Sequence, residues 1–187
     1  VMVLLGDFIE AQSSLSSTPS GGWHTPAPFL LTSFQFNSMI AVVILNWNGV
    51  DMLRRYLPGV VSDCADEGEV IVADNGSTDD SLHYLRTEHP DVRLVCFDQN
   101  LGFAGGYNAA FRRIEQETPG RYDYYLLLNS DVRTSPGWLT PMRTYMDAHP
   151  ETAAAQPKIH AEWAHDSFEH AGAAGGFIDR FGYPFCR

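Results

Sequence analysis

The sequence predicts an α/β layered fold in which helices flank a mostly parallel central sheet. Short apolar runs rich in β-branched residues alternate along the chain with segments whose apolar residues recur at helical spacing. Each apolar run ends in a polar turn, as buried parallel strands commonly do. Because crossovers between parallel strands are right-handed, this alternation indicates one layered sheet, with ligands expected at the carboxyl ends of its strands.

The first strand is predicted over Ile40 to Leu45, and it ends in the turn Asn46-Trp47-Asn48-Gly49. A helix is expected to begin near Asp51. Pro58 lies inside that helix and predicts a kink or an early break, because proline removes a backbone hydrogen bond. The apolar face of the helix is predicted to comprise Met52, Tyr56, Leu57 and Val60.

Glu69 to Ala73 predicts a second buried strand, which is closed by the polar segment from Asp74 to Asp80. Ser77 or Thr78 is expected to cap a helix running from about Asp79 to Glu88.

Two further strands are predicted, over Val92 to Phe97 and over Tyr122 to Leu128. A glycine-containing turn follows the first of them and leads into a helix through Asn108 to Glu117. The triplet Asn129-Ser130-Asp131 follows the other strand, and Pro136 is expected in the first turn of a helix ending near Ala148.

Charge and cysteine content exclude several classes of protein. The 187 residues include 12 Lys and Arg against 23 Asp and Glu, so the formal net charge is -11, which disfavours nucleic-acid binding through a basic face. Cys64, Cys96 and Cys186 are odd in number and widely spaced, which favours neither a disulfide framework nor a cysteine zinc site and predicts a cytoplasmic protein. No apolar run approaches the roughly 20 residues of a membrane span.

The chain is expected to divide at Met39. Residues 1–38 contain no Lys or Arg, and Ala11 to Phe29 is rich in Ser, Thr, Pro and Gly, which indicates a disordered or non-native extension. A secretory signal would need a basic region ahead of its apolar segment. We therefore expect the ordered domain to occupy residues 39–187, with Met39 as the native start.

Four polar turns are expected to meet at one edge of the sheet, and they carry the predicted site. A carboxylate at the end of a buried strand needs a donor, a cation or a metal, and Asp74 and Asp131 are the two in that position. A bound diphosphate would need positive charge, and the strand ends offer no Lys or Arg comparable to a phosphate-loop lysine. Mg²⁺ or Mn²⁺ held by Asp131 would supply that charge, while Asp74 suits a base or ribose. Taken singly, each turn could equally be an ordinary one.

Histidine and aromatic residues near the carboxyl end have structural as well as functional interpretations. Steps of five residues do not bring His160, His165 and His170 to one face of a helix or strand, so surface or core roles are favoured over a metal site. For five aromatic residues near the carboxyl end, core packing is favoured over the lining of an acceptor cleft. They are Trp163, Phe168, Phe177, Phe181 and Phe185.

Four stretches, in order, resemble the family 2 glycosyltransferases of GT-A fold, in particular the bacterial rhamnosyltransferase-like branch. They are Val42-Val43-Ile44-Leu45-Asn46-Trp47-Asn48-Gly49, Val70-Ile71-Val72-Ala73-Asp74-Asn75-Gly76-Ser77-Thr78-Asp79, Asn100-Leu101-Gly102-Phe103-Ala104-Gly105-Gly106-Tyr107-Asn108 and Leu126-Leu127-Leu128-Asn129-Ser130-Asp131.

This resemblance implies a donor site at the strand ends. Asn46 and Asp74 would hold the nucleoside, Asn108 would support the same pocket, and Asp131 would reach the metal that bridges the diphosphate. Asn129 stands at the first acidic position of the D-x-D motif, which implies weaker metal binding or direct use of Asp131 alone. The full donor-binding set implied is Leu45, Asn46, Asn48, Asp74, Asn75, Ser77, Gly102, Asn108, Asn129, Ser130 and Asp131.

The resemblance also implies an activity. It is inverting transfer of a sugar from a dTDP-, UDP- or GDP-linked donor to a glycan or lipid-linked acceptor, in cell-surface polysaccharide synthesis. Peripheral association with the inner face of the membrane stays open. The catalytic base is expected beyond Arg187, because Asp166, Glu169 and Asp179 do not match the family's Glu-Asp motif.

Two alternatives remain at this point. One is a fragment or degenerate domain that binds nucleotide without turnover. The other is a nucleotidyltransferase, which would need a basic triphosphate loop near the first strand, and Asn46 to Gly49 carries no such charge.

Overall fold

The computed structural model describes residues 2–5, 39–65, 67–168, 176–178, 180 and 184–186. Within these residues the chain forms, in order, β1 (Met2–Leu5), β2 (Ile40–Asn46), α1 (Val50–Cys64), β3 (Gly68–Asn75), α2 (Ser81–Glu88), β4 (Arg93–Phe97), α3 (Phe103–Glu117), β5 (Tyr124–Leu128), α4 (Leu139–Ala148), β6 (Ala154–Ala155), β7 (His160–Ala161), β8 (Ala164–Phe168), β9 (Gly176–Ile178) and β10 (Pro184–Cys186).

The main sheet has the strand order β4-β3-β2-β5-β1-β6. β2 pairs in parallel with both β3 and β5, and β3 pairs in parallel with β4. β1 is antiparallel to β5 and to β6. The prediction of a mostly parallel sheet is confirmed.

The strand order reverses beside β2, and this reversal positions the site. The chain moves outward from β2 through β3 to β4 and then returns to the other side of β2 to form β5. In open α/β sheets such a switch point leaves a crevice between the carboxyl ends of the two strands that flank it. Here those strands are β2 and β5.

Two apolar layers cover the sheet. On one face α1, α2 and α4 pack against alternate residues of the central strands, including Ile40, Val42 and Ile44. On the other face α3 packs against Ala41 and Val43 and the matching residues of the neighbouring strands. Both faces of β2 are buried, which explains why the strand is apolar from Ile40 to Leu45, ahead of its last residue, Asn46.

Helix α1 departs from two sequence predictions. It continues through Pro58 to Cys64, so of the predicted kink or early break the early break does not occur. Met52 is 43% exposed, while the buried face comprises Leu53, Tyr56, Leu57, Val60 and Cys64. Packing against the sheet outweighs the one hydrogen bond that proline removes.

Two other helix starts also differ from prediction. Asp80, rather than Ser77 or Thr78, stands at the capping position of α2 and makes no side-chain capping bond. The Ser81 N–H, in the first turn, donates to Asp79 Oδ1 instead. Pro136 lies ahead of α4, which begins at Leu139, so it is not in the first turn of that helix.

Part of the amino-terminal segment is ordered in the structure. Met2–Leu5, predicted to belong to a disordered or non-native extension over residues 1–38, pairs with β5 in the register Met2 to Leu128. A run of apolar residues can hydrogen-bond to the otherwise open edge of β5, which explains this difference. The expectation for residues 6–38 lies outside the described residues.

The carboxyl-terminal part forms two small hairpins, β7 with β8 and β9 with β10. Trp163 is 82% exposed and Phe168 is 49% exposed, so the preference for core packing is wrong for these two residues. The side chains of Phe177, Phe181 and Phe185 lie outside the described residues.

Among the helices that the structure describes, none combines the length and the hydropathy needed to cross a bilayer.

Candidate functional site

A buried polar network joins the carboxyl ends of β2 and β3. Asn46 and Asp74 are paired in the sheet register, and the Asn46 Nδ2 donates to Asp74 Oδ2 at 3.0 Å. The same amide group lies 3.1 Å from Ser77 Oγ, and the Ser77 backbone N–H donates to Asp74 Oδ1 at 2.9 Å. Asp74 has no exposed surface, so these donors replace the water that its carboxylate would otherwise bind.

One atom of this network is buried and unpaired. Among the described residues no hydrogen-bond partner reaches Asn46 Oδ1. A Cβ atom on Gly49 would stand 2.6 Å from that oxygen and 3.9 Å from Ser130 Oγ. Glycine at position 49 therefore lets the turn after β2 pass close to this buried acceptor. A buried carbonyl oxygen without a donor favours binding of a hydrogen-bond donor.

A second set of bonds ties the turn after β2 to the turn after β3. The backbone N–H of Thr78 donates to Asn48 Oδ1 at 2.7 Å, and the N–H of Asn48 donates to Ser77 Oγ at 2.9 Å. Asn48 has φ = 51°, a left-handed conformation that asparagine tolerates better than most residues. The Val50 N–H, at the start of α1, donates to Asp79. Burial raises the pKa of Asp79, but hydrogen bonds from Ser81 and Val50 outweigh it and hold that pKa below its ordinary value.

The next part of the site links β3 to the loop before α3. Asn75 Nδ2 donates to Asn100 Oδ1 at 2.9 Å and to the Gly102 carbonyl at 3.2 Å, while Asn75 Oδ1 accepts from the Leu101 N–H. Gly102 adopts φ = 74°, which glycine alone takes up without strain. These bonds fix the path of the loop into α3.

Helix α3 then packs tightly behind this loop. A Cβ atom on Gly106 would lie 2.8 Å from Leu45 Cδ1 and 3.0 Å from Asn75 Nδ2. The structure thus brings Leu45, Asn75 and Gly106 together, and glycine is needed at 106 for packing. Asn108 is exposed on α3.

The end of β5 differs from the ends of β2 and β3. Asn129 and Ser130 are partly buried, and Asp131 is exposed. The Tyr107 hydroxyl donates to the Leu128 carbonyl at 3.1 Å and fixes the last residue of the strand to α3. Within the described part of the chain, no three His, Cys, Asp or Glu side chains gather as a metal site. The oxygen atoms of Asn129, Ser130 and Asp131 still suit a hard divalent cation that keeps water and phosphate among its ligands.

Sequence reasoning did not predict that Cys96 lies beside the site. It pairs with Asp74 in the register of β3 and β4, so Asn46, Asp74 and Cys96 form a row across three strands. Burial raises the pKa of the Cys96 thiol and the charge of Asp74 adds to it, while Arg86 opposes both. The strand assignments alone could not reveal this row, because it depends on the register.

Sequence reasoning also missed a cluster beside the β5 turn, which we call the Glu162 cluster: Arg55, Tyr56, Arg133 and Glu162. Nη2 of Arg55 and Nη2 of Arg133 lie 3.1 and 2.8 Å from Glu162 Oε1, and the Tyr56 hydroxyl donates to Oε2 at 2.6 Å. Hydrogen bonds from Tyr56 and Arg133 lower the pKa of Glu162 to about 2. No sequence signal connects α1 with the β7–β8 hairpin.

Comparison with known proteins identifies the family. Residues 41–183 match the sequence model described as glycosyl transferase family 2. The match covers the four parallel strands, their polar turns and the β7–β8 hairpin, so it includes every predicted site residue.

Two curated relatives resemble parts of this chain in sequence. An N-acetylglucosaminyl-diphospho-decaprenol L-rhamnosyltransferase of Mycobacterium tuberculosis is 25% identical over 126 residues, which are 65% of this chain and 41% of that protein. An uncharacterized glycosyltransferase of Nostoc sp. is 33% identical over 75 residues, 38% of this chain and 23% of that protein. The chain thus spans less than half the length of the relatives it matches.

A solved structure supports the fold. S. aureus TarS 1-349 in complex with UDP-GlcNAc superposes with a TM-score of 0.50 at 19% identity, over 60% of this chain and 32% of that chain. Together with the family match, this confirms the predicted GT-A fold of parallel strands flanked by helices.

Proposed function

The chain belongs to glycosyl transferase family 2, and from this premise we propose that it binds a nucleoside-diphosphate sugar at the carboxyl ends of β2, β3 and β5. The buried Asn46 Oδ1 at the switch point of the sheet, which has no hydrogen-bond partner among the residues that the structure describes, is the observation that carries this proposal. It supplies an acceptor at the position where α/β sheets bind their ligands.

The two halves of the site are proposed to divide the donor between them. Asn46 and Asp74 hold the nucleoside, with Asn48, Asn75 and Ser77 supporting them. Asn46 and Asp74 are only 1% and 0% exposed, so contact with a nucleoside requires the turns after β2 and β3 to move apart. Leu45, Gly102 and Asn108 complete the pocket wall.

The end of β5 is proposed to face the diphosphate. Asp131, with the oxygen atoms of Asn129 and Ser130, would hold Mg²⁺ or Mn²⁺, which neutralises the charge of a diphosphate leaving group. Asn129 offers an amide oxygen where a second carboxylate would give stronger metal binding. We therefore expect Asp131 to be the one carboxylate of this triplet that the metal uses.

The proposed reaction is inverting transfer of the sugar to a hydroxyl of an acceptor. The rhamnosyltransferase relative acts on a diphospho-decaprenol acceptor, and a lipid-linked diphosphate is accordingly the acceptor class that we propose here, in the synthesis of cell-surface polysaccharide on the cytoplasmic side of the membrane. Inversion needs a general base to take the acceptor proton.

A thermal-shift titration with UDP, dTDP and GDP, each with and without Mn²⁺, tests donor binding. A ligand that binds only the folded state at 100 times its Kd adds about 2.7 kcal/mol to the free energy of unfolding. We expect one nucleotide to raise the unfolding temperature, and to raise it further with Mn²⁺. If no nucleotide shifts the transition at millimolar concentration, the proposal fails.

A transfer assay separates the enzyme from a domain that only binds nucleotide. The chain is incubated with the nucleotide sugar whose base gave the shift, and nucleoside diphosphate release is measured. Release above the level of an Asp131→Ala control supports turnover. Binding without release is expected both of a chain that lacks the general base and of a domain that only binds nucleotide, so release is the outcome that decides between them.

A further inference from the structure

The Glu162 cluster carries a surplus of positive charge in an acidic protein. Two guanidinium groups meet one carboxylate, so the cluster has a formal charge of +1, while the chain as a whole carries -11. The side chains of Arg55 and Arg133 are 59% and 62% exposed. Each guanidinium has five N–H donors, and the bonds to Glu162 engage one nitrogen of each.

The two guanidinium groups are held in fixed positions. Both lie over the ring of Tyr56, at 5.0 Å for Arg55 and 5.9 Å for Arg133, measured from the guanidinium carbon to the ring centre. Tyr56 is itself bonded to Glu162. Arginine side chains positioned in this way lose less conformational freedom when they bind a ligand.

The cluster lies close to the proposed donor site. Arg133 follows Asp131 by two residues, so their Cα atoms are at most about 7 Å apart. The Thr134 hydroxyl donates to Asp63 Oδ2 at 2.6 Å, which also fastens this loop to α1. Positive charge is thus presented beside the β5 turn and on the side of α1.

We propose that Arg55 and Arg133 form an anion subsite that binds the diphosphate of the acceptor. This inference rests on the proposed function, in which the acceptor is a lipid-linked diphosphate. Guanidinium groups pair with phosphate oxygens through two parallel N–H bonds, which a single exposed lysine cannot do. Glu162 and Tyr56 position the two arginines, and the charge of Glu162 limits how tightly an anion is held.

Inorganic pyrophosphate is the probe, and isothermal titration calorimetry without added metal is the measurement. Replacing both arginines, Arg55→Met with Arg133→Met, should weaken pyrophosphate binding about tenfold or more. Arg113→Met is the matched control, because Arg113 is 58% exposed and pairs with Glu117 on α3. It should leave pyrophosphate binding unchanged.

Glu162→Gln provides the second arm. Glutamine keeps one oxygen acceptor for the two arginines, and its NH2 group can donate to the Tyr56 hydroxyl oxygen. The substitution removes the negative charge, so pyrophosphate binding should become roughly threefold tighter. If the cluster only fastens the hairpin, this variant will change the unfolding temperature without tightening pyrophosphate binding, and the proposal is then wrong.

UDP with Mn²⁺, titrated into the same variants, distinguishes the two possible sources of diphosphate. Unchanged UDP binding in the double arginine variant supports an acceptor subsite. Equal loss of UDP and pyrophosphate binding would assign the arginines to the donor and overturn the proposal. If the chain binds no nucleotide but still binds pyrophosphate through the two arginines, the anion subsite is supported and the proposed donor site is wrong.

Discussion

The two halves of the strand-end site differ in how far they are assembled without a ligand. At the ends of β2 and β3, Asn46, Asp74 and Ser77 are bonded to one another, and the first two are almost completely buried. At the end of β5, Asp131 is exposed. The first half is therefore part of the folded core, while the second is available to solvent, so substitutions in the two halves should affect stability and binding differently.

Asp74→Ala should have the largest effect on stability. It leaves the Asn46 side-chain amide and the Ser77 N–H without their buried acceptor, which should lower the free energy of unfolding by about 3 kcal/mol. Urea unfolding followed by circular dichroism measures this loss. Nucleotide binding should disappear as well. A variant as stable as the natural chain would show that the network is not part of the core.

Gly49→Ala should have the next largest effect. The added methyl group would come within 2.6 Å of Asn46 Oδ1, so the buried amide or the turn must move. We expect a loss of about 1 to 3 kcal/mol in the free energy of unfolding, typical of overpacking.

Gly59→Ala is the matched control for that variant. Position 59 lies inside α1, and a Cβ atom there meets nothing within 4 Å. Alanine should raise the free energy of unfolding by roughly 0.5 to 1 kcal/mol, since glycine is the weaker helix former. Equal effects of the two alanines would contradict the close contact at Asn46.

The Glu162 cluster, which lies beside the exposed β5 end of the site, predicts that the stability of the fold depends on pH. Hydrogen bonds from Tyr56 and Arg133 lower the Glu162 pKa from 4.5 to about 2. A carboxylate with a lowered pKa stabilises the folded state above its unfolded pKa, and this stabilisation is lost as the pH falls through the folded value. The stability difference between the natural chain and Glu162→Gln should therefore be constant above pH 4.5 and shrink between pH 4.5 and 2.

Unfolding in urea at a series of pH values measures that difference. A difference that shrinks around neutral pH would mean that another group is responsible.

Asp131→Ala should have the smallest effect on stability. The side chain is exposed, so the free energy of unfolding should stay within about 0.5 kcal/mol of the natural value. The additional shift in unfolding temperature that Mn²⁺ gives with a nucleotide should be lost. Unchanged metal-dependent binding would remove Asp131 from the proposed metal site.

The fold was predictable because its signals are local. β2 and β3 are apolar runs rich in β-branched residues, and such runs have few alternatives to a buried parallel strand. Helix ends were less predictable. Pro58 predicted a kink or an early break in α1, but the packing of Leu57 and Val60 against the sheet accompanies a helix that continues to Cys64.

The candidate site was predictable as a set of turns but not as a set of contacts. Alternation of strands and helices places the turns after β2, β3 and β5 at one edge, which follows from sequence alone. Which side chains touch depends on register. Asn46, Asp74 and Cys96 form a row because Asp74 of β3 pairs with Asn46 of β2 on one side and with Cys96 of β4 on the other.

By itself, the sequence determined the four parallel strands, the polar turns at their carboxyl ends and the family to which these belong. Tertiary structure alone decided that Asn46 Oδ1 is buried with no partner in the described part of the chain, and that Glu162 joins α1 to the loop after β5. The physical reason is distance along the chain. Periodicity reports the burial of neighbouring residues, whereas a bond between Arg55 and Glu162, 107 residues apart, forms only when packing brings their elements together.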